Sequence, residues 1–255
     1  VDVRTIPGVD QLAGGQVSVE QIRKLSMEDL LGREEVDLSG TEVHSFLKDK
    51  RVLVTGAGGS IGRELCVQLV KSCNISSICL LGKGENSVFG TWQEIIDYSD
   101  KVQIEKKIVD IRNYSRMDAI FSEFKPDVVF HAAAHKHVHL MELNPCEAFE
   151  NNVLGTLNVA ELSGKHKTEA FVLISTKNRA EKVTLMASKH YPQTKYTAVR
   201  FGNVLGSRGS VITVWEQQLK AGKPITVTHK EAIRYFMTIP EAAQLVIQAG
   251  ARAAN

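Results

Sequence analysis

The stretch VLVTGAGGSIGRELCVQLV, residues 52–70, leaves few folds open to this chain. A β-branched apolar run ends at Thr55, Gly56, Gly59 and Gly62 follow at three-residue spacing, and a helical pattern begins at once. Gly56 permits a tight turn, and Gly59 lets the backbone approach a bulky anion. Gly62 lets helix and strand pack closely, while the N–H groups of the new helix, Ser60 and Ile61 among them, point at whatever lies there. Glycine spacing alone is a weak signal. With a strand before it and a helix after it, the pattern is that of the pyrophosphate turn in a dinucleotide-binding βαβ unit. The competing reading is a glycine-rich turn that holds nothing.

The rest of the chain agrees with that unit. Apolar strands are expected at 51–56, 76–82, 102–110, 127–133, 170–176 and 196–203, with helices near 60–72, 86–97, 114–124, 145–165, 177–190 and 210–221. Such alternation implies right-handed crossovers and a doubly wound parallel α/β sheet, the Rossmann architecture. At 255 residues and 43% hydrophobic content, one substantial core is within reach. Residues 1–50 differ in texture: they are polar, with short helical patterns at 18–25, 26–32 and 40–50, and are expected to form a helical N-terminal arm. The expected division is therefore an arm at 1–50, a nucleotide-binding domain at 51–203, and at 204–255 the start of a substrate-binding lobe left incomplete.

Composition narrows the function further. A net charge of +2 carries no nucleic-acid footprint but permits an anionic small ligand. The four cysteines contain no CxxC pair and read as reduced buried thiols, as in a cytoplasmic protein. No apolar run approaches the ~20 residues of a bilayer span.

The end of the second strand should carry the residue that reads the adenosine ribose, an acid favouring NAD and a base favouring NADP. The sequence there is LLGKGEN: Lys83 leans toward NADP, Glu85 toward NAD, and a solvated surface lysine is as ordinary a reading, so the choice stays open. Asp110 and Ile111, after the third strand, suit an adenine-edge acceptor and its apolar wall. Ala132, Ala133 and Ala134 offer the small surface that a nicotinamide ribose requires. Four of the eight histidines fall in HAAAHKHVHL, residues 131–140. A metal site is disfavoured, because Lys136 interrupts the cluster and no Cys or carboxylate stands at ligand spacing. Lys136 and His137, just beyond the carboxyl end of a strand, read better as anion or sugar contacts, with a solvated loop as the alternative. His131, at the strand end, reads as a packed, hydrogen-bonded core residue.

Together TGAGGSIG, VDIRN, PDVVFHAAAHKHVHLMELNPCEAFENNVLGTLNVAE, VRFGNVLGSRGSVI and RYFMTIPEAAQLV resemble the extended short-chain dehydrogenase/reductases. More narrowly, they resemble the UDP-N-acetylglucosamine 4,6-dehydratases of bacterial polysaccharide and protein glycosylation. The arm is similar to the segment that follows the transmembrane helices in the large, membrane-anchored branch. The resemblance implies a UDP-sugar substrate, a tightly bound NAD or NADP regenerated at each turnover, a homo-oligomer, and a cytoplasmic site, on an inner-membrane protein if the native chain is anchored. It places Gly56, Gly59, Ser60, Ile61 and Gly62 on the pyrophosphate, Asp110 and Ile111 on the adenine, and Asn152 in the helix that supports the site. Lys136 and His137 would face the substrate, Asn203 would lie beside the sugar nucleotide, and Arg234 would pair with the UDP diphosphate.

The implied reaction moves hydride from C4 of the sugar to the cofactor, expels water across C5–C6, and returns the hydride to C6. Lys177 would hold the nicotinamide ribose, and Ser175 or Thr176 would bond the C4 oxygen. One departure stands out. In the family, the strand ending Ile-Ser-Thr is followed by Asp-Lys and a loop of about a dozen residues before the helix Lys, whereas here Thr176 adjoins Lys177. We therefore expect an active-site loop to be missing between 176 and 177. The alternatives are a UDP-sugar 4-epimerase on the same fold, or a loop-deleted, non-catalytic NAD(P)-binding protein.

Overall fold

The computed structural model describes residues 4–5, 23–24 and 41–254, apart from 99, 176, 177, 208, 228 and 230. A short antiparallel pair, β1 (Arg4–Thr5) with β2 (Arg23–Lys24), comes first. It corrects the helix expected over 18–25, because Arg23 and Lys24 pair as strand. A local capping signal does not hold so short a helix when a cross-strand ladder competes for the same backbone groups. The remainder of that segment and the helix expected at 26–32 lie outside the described residues. The third expected short helix is present as α1 (Thr41–Leu47).

Six strands form one parallel sheet: β3 (Arg51–Thr55), β4 (Ser77–Gly82), β5 (Gln103–Ile108), β6 (Val128–His131), β7 (Ala170–Ile174) and β8 (Lys195–Val199). Their spatial order is β5-β4-β3-β6-β7-β8, the 3-2-1-4-5-6 order of a doubly wound Rossmann sheet. The order reverses between β3 and β6, and the crevice beyond their carboxyl ends is where such sheets take ligands. Central strands are buried on both faces, which is why they read as unbroken apolar runs. Along β3, Val52 and Val54 face one core and Leu53 the other. The edge strand β5 instead alternates charge, and Lys107 pairs with Glu105 and Glu123, which blunts the open edge.

The first core lies against α1, α2 (Ser60–Ser72) and α3 (Glu85–Ile95). The second lies against α4 (Tyr114–Phe124) and the long segment after β6. That segment runs through α5 (Val138–Leu143), α6 (Pro145–Phe149), a π-helical stretch (Glu150–Gly155) and α7 (Thr156–Lys165). Next come α8 (Asn178–His190), β9 (Asn203–Val204), α9 (Val211–Lys220), β10 (Phe236–Met237) and α10 (Ile239–Ala254). The sequence reading contains no counterpart of α10, which packs on α1, α2, β7 and β8 and adds Ala243, Val246 and Ile247 to the first core.

The described residues fall into two compact units. The larger, within Asp37–Gly202 and Ile239–Asn255, holds the six-stranded sheet and its helices. The smaller, within Val1–Val36 and Asn203–Thr238, holds the β1–β2 pair, α9 and the parallel β9–β10 pair. No helix among the described residues is long and apolar enough to cross a membrane.

Candidate active site

The glycine turn closes at the switch point. Gly56 has φ +68°, a left-handed conformation that costs other residues strain, and a Cβ there would stand 2.7 Å from the carbonyl of Ala132. A Cβ on Gly62 would strike the Gly56 carbonyl oxygen, so helix α2 meets the turn with no room for a side chain. Gly59 is exposed and donates its N–H to the Gly56 carbonyl at 2.8 Å. Ser60 and Ile61 begin the 13-residue α2 directly behind it. Gly58, which the three-residue spacing skips, also matters: a Cβ there would run into Ser87 of α3. The turn is a cradle of backbone at a helix N-terminus, which fits a pyrophosphate.

Two charged clusters flank it. Asp110, just past β5, is gripped by Arg112, whose Nε and Nη2 reach its oxygens at 3.0 and 2.7 Å. The Arg112 hydrogen bonds hold the Asp110 carboxyl below the usual range, outweighing the partial burial that opposes them. Arg112 also reaches Glu147 at 2.8 Å and Glu150 at 3.3 Å. Glu147 accepts from His135 Nε2 at 3.0 Å and stands 3.8 Å from Lys83 Nζ. The expected ribose reader Lys83 and adenine reader Asp110 are thus joined through Arg112 and Glu147, two residues the sequence reading did not single out. Nothing in their spacing, 35 residues apart, marks them as partners. Ile111 is 4% exposed, and a Cβ on Gly155 would press on its side chain.

Ala132, Ala133 and Ala134 leave β6 half-buried beside Gly56. The loop then turns at His135, whose backbone is held at both ends by Asn152. His135 N–H donates to Asn152 Oδ1 at 2.8 Å, and Asn152 Nδ2 donates to the His135 carbonyl at 2.9 Å. Lys136 is exposed, and His137, which caps α5, meets His139 edge-on. Among the described residues no group of three or more His, Cys, Asp or Glu gathers at metal-binding distance. His131 is 1% exposed and hydrogen-bonded at both ring nitrogens, a core residue as its position at a strand end implies.

On the far side of β6, Ser175 directly follows β7 and donates Oγ–H to Glu181 Oε1 at 2.5 Å, while Glu181 takes Arg200 through both oxygens. These bonds, Ser175 first, hold the Glu181 carboxyl below its ordinary value. Thr176 and Lys177 lie outside the described residues. Asn203 and Arg234 belong to the smaller unit: Asn203 is the register partner of Phe236, two residues beyond Arg234, and donates its N–H to the Tyr235 carbonyl at 3.0 Å. The larger unit therefore gathers the described residues expected at the cofactor with Lys136, His137 and Ser175 at the carboxyl end of its sheet.

A 3-2-1-4-5-6 sheet with this glycine turn and this loop at its switch point is that of an extended short-chain dehydrogenase/reductase. Within that class the chain belongs to the polysaccharide biosynthesis protein family, whose model matches residues 52–255. It is 46% identical to the capsular polysaccharide biosynthesis protein CapD of Staphylococcus aureus over 267 aligned positions, covering 99% of this chain and 44% of CapD. The probable polysaccharide biosynthesis protein EpsC of Bacillus subtilis (strain 168) is likewise 46% identical, with the same coverage of each chain. The chain thus spans less than half the length of these relatives. Among solved structures, Pen from Bacillus thuringiensis matches with a TM-score of 0.74 at 36% identity, covering 80% of this chain and 66% of that one.

Proposed function

We propose that the chain is the nucleotide-binding part of a UDP-N-acetylglucosamine 4,6-dehydratase that makes a UDP-4-keto-6-deoxy-N-acetylhexosamine for surface polysaccharide. The observation that carries this reading is the pairing, at the carboxyl ends of β3 and β6, of the Gly56–Gly62 cradle with the Asn152-held loop that presents Lys136 and His137. The cradle suits the pyrophosphate of a dinucleotide; the loop suits an anionic sugar nucleotide beside it. The 46% identity to CapD and EpsC supports the polysaccharide setting.

In this reading a bound dinucleotide would supply the hydride chemistry, as acceptor from C4 of the sugar and donor to C6. The chain's own residues bind and position the reactants. Backbone N–H groups at Ser60 and Ile61 bind the pyrophosphate, Gly56, Gly59 and Gly62 let it approach the backbone, and Lys83 and Asp110 face the adenosine end. Ser175 or Thr176 bonds the C4 oxygen, and Lys177 holds the nicotinamide ribose while its charge lowers the pKa of a neighbouring acid. Asn203 and Arg234 bind the sugar nucleotide, Arg234 through its forked donors.

The groups that remove the C5 proton and protonate the C6 oxygen belong to a loop between Thr176 and Lys177. The alignment with CapD runs over 267 positions, more than the 255 residues of this chain, so CapD has residues that this chain lacks. Peptide mapping of the native protein across Ser175–Arg179 should recover the additional residues, and a peptide joining Thr176 directly to Lys177 would remove the loop from the mechanism. Incubating the full-length protein with UDP-N-acetylglucosamine should give a product lighter by one water. An isomer of unchanged mass would identify a 4-epimerase instead, and a protein that binds NAD(P) without turning substrate over would be a non-catalytic relative.

A further inference from the structure

We infer that His131 is a positioning residue that couples the glycine turn to the loop carrying Lys136 and His137, and that it does so as the Nε2–H tautomer. The inference rests on the reading above in taking these segments as the cofactor and sugar-nucleotide sites.

His131 and Thr55 are register partners at the carboxyl ends of β6 and β3, the two strands of the switch point. His131 Nδ1 lies 2.6 Å from Thr55 Oγ1, and Nε2 lies 2.9 Å from Thr156 Oγ1. Thr156 Oγ1 in turn donates to the Asn152 carbonyl at 3.0 Å. Thr55, His131 and Thr156 are each no more than 1% exposed, so every proton must find a partner inside the protein.

Each hydroxyl has one proton to give, and that decides the tautomer. With the proton on Nε2, Thr55 donates to Nδ1, Nε2–H donates to Thr156, and Thr156 donates to the Asn152 carbonyl. All three bonds are made. With the proton on Nδ1, the Thr55 hydroxyl hydrogen faces a donor and has no other acceptor among the described residues. Thr156 would also have to abandon the Asn152 carbonyl to serve Nε2. Burial alone keeps the ring neutral, with its pKa pushed down to about 4.

The chain of donors runs one way, from the residue before Gly56 into the π-helical stretch. There Asn152 uses its carbonyl toward Thr156 and its side chain toward His135, holding the backbone on both sides. Asn151 adds a bond to Asn152 Oδ1 at 2.9 Å. The loop therefore leaves β6 at His131 and is tied back, four residues later, by the helix that His131 itself anchors.

The test pairs imidazole ¹⁵N NMR with amide hydrogen exchange on the wild type, Thr156→Val and Thr156→Ser. In the wild type the ring should be a single Nε2–H species. Thr156→Val removes the acceptor of Nε2–H, so an Nδ1–H population should appear, and loss of one bond should speed exchange of the His135 amide by about tenfold. Thr156→Ser should restore both readouts, which separates loss of the hydroxyl from general loosening. An Nδ1–H ring in the wild type, or a His135 amide indifferent to Thr156→Val, would overturn the inference. Titration with NAD and NADP separates it from the reading beneath: a wild type that binds neither, yet shows the Nε2–H ring and the exchange response, keeps the relay and loses the cofactor site.

Discussion

The two ends of the parallel sheet are built on different principles. At the amino end, each carboxylate keeps to one partner residue. Asp127 accepts the Arg51 N–H at 2.8 Å and its guanidinium at 3.0 and 2.8 Å, and Lys50 pairs with Glu169 at 2.6 Å. Backbone bonds run across the strand starts from Asp127 to Arg51, from Glu169 to Asp127 and from Lys195 to Glu169. At the carboxyl end, charges are shared instead: Glu147 serves Arg112 and His135 and lies near Lys83, and Glu181 serves Ser175 and Arg200. A matched pair is finished structure. A shared acceptor has donors that an arriving anion can recruit, so the carboxyl end is where binding can be paid for by rearranging bonds already formed.

The largest effect that could break this contrast belongs to Gly56. An alanine there takes on left-handed backbone strain and a Cβ 2.7 Å from Ala132, so Gly56→Ala should lose roughly 2–4 kcal/mol of stability. Dinucleotide affinity should fall by about a hundredfold, since a backbone shift in the cradle misplaces every N–H donor. Thermal melts and cofactor titration measure the two. A variant that melts early yet binds as well as the wild type would show that the cradle holds no dinucleotide.

Asp127 should show the opposite pattern. Asp127→Asn is expected to cost about 1–3 kcal/mol, because it weakens a part-buried, three-bond contact with Arg51. NAD(P) affinity should stay within about twofold, the site being at the other end of the strands. Acid sharpens the point. Burial raises the Asp127 pKa, but the Arg51 hydrogen bonds and charge outweigh it and the net value lies below the usual one. A depressed carboxylate gives its stability in full above its unfolded pKa of about 3.9 and loses it as pH falls through the folded value. Between about pH 5 and 3 the wild type should therefore lose stability more steeply than Asp127→Asn in denaturant titrations. Equal slopes would mean that Arg51 and Asp127 are not paired in solution.

Much of this architecture is legible in the residues. The strands of the sheet announce themselves because central parallel strands bury both faces, and the glycine turn because no side chain fits at Gly56 or Gly62. What escapes has a shared cause. β9 and β10, two residues each, are too short to show a period, and α10 begins at Ile239-Pro240, which reads as a loop until Ala243, Val246 and Ile247 are seen to face the core. The π-helical stretch has no residue code of its own, since it differs from α-helix in hydrogen-bond register. In the site, Asp110 and Lys83 could be marked by position on their strands. Arg112, Glu147 and Thr156 could not, because Arg112 and Glu147 meet across 35 residues and Thr156 meets His131 across 25, in relays that no linear spacing records.

The smallest effect bears on the cofactor itself. Glu147 is held in its charged form by the His135 hydrogen bond and by Arg112, and it offsets the positive charge of Lys83 3.8 Å away. Glu147→Gln should leave the melting temperature within about 2 °C, as exposed ion pairs contribute little. It should also unmask Lys83 and Arg112. If the adenosine ribose lies over them, a 2′-phosphate gains and a 2′-hydroxyl does not, so affinity for NADP should rise about three- to tenfold at low salt while that for NAD stays level. The gain should shrink at high ionic strength, as interactions between exposed charges are screened. An unchanged NADP-to-NAD ratio would take Lys83 away from the ribose and leave the shared charges of the carboxyl end as a structural tie between β4, β5 and α6.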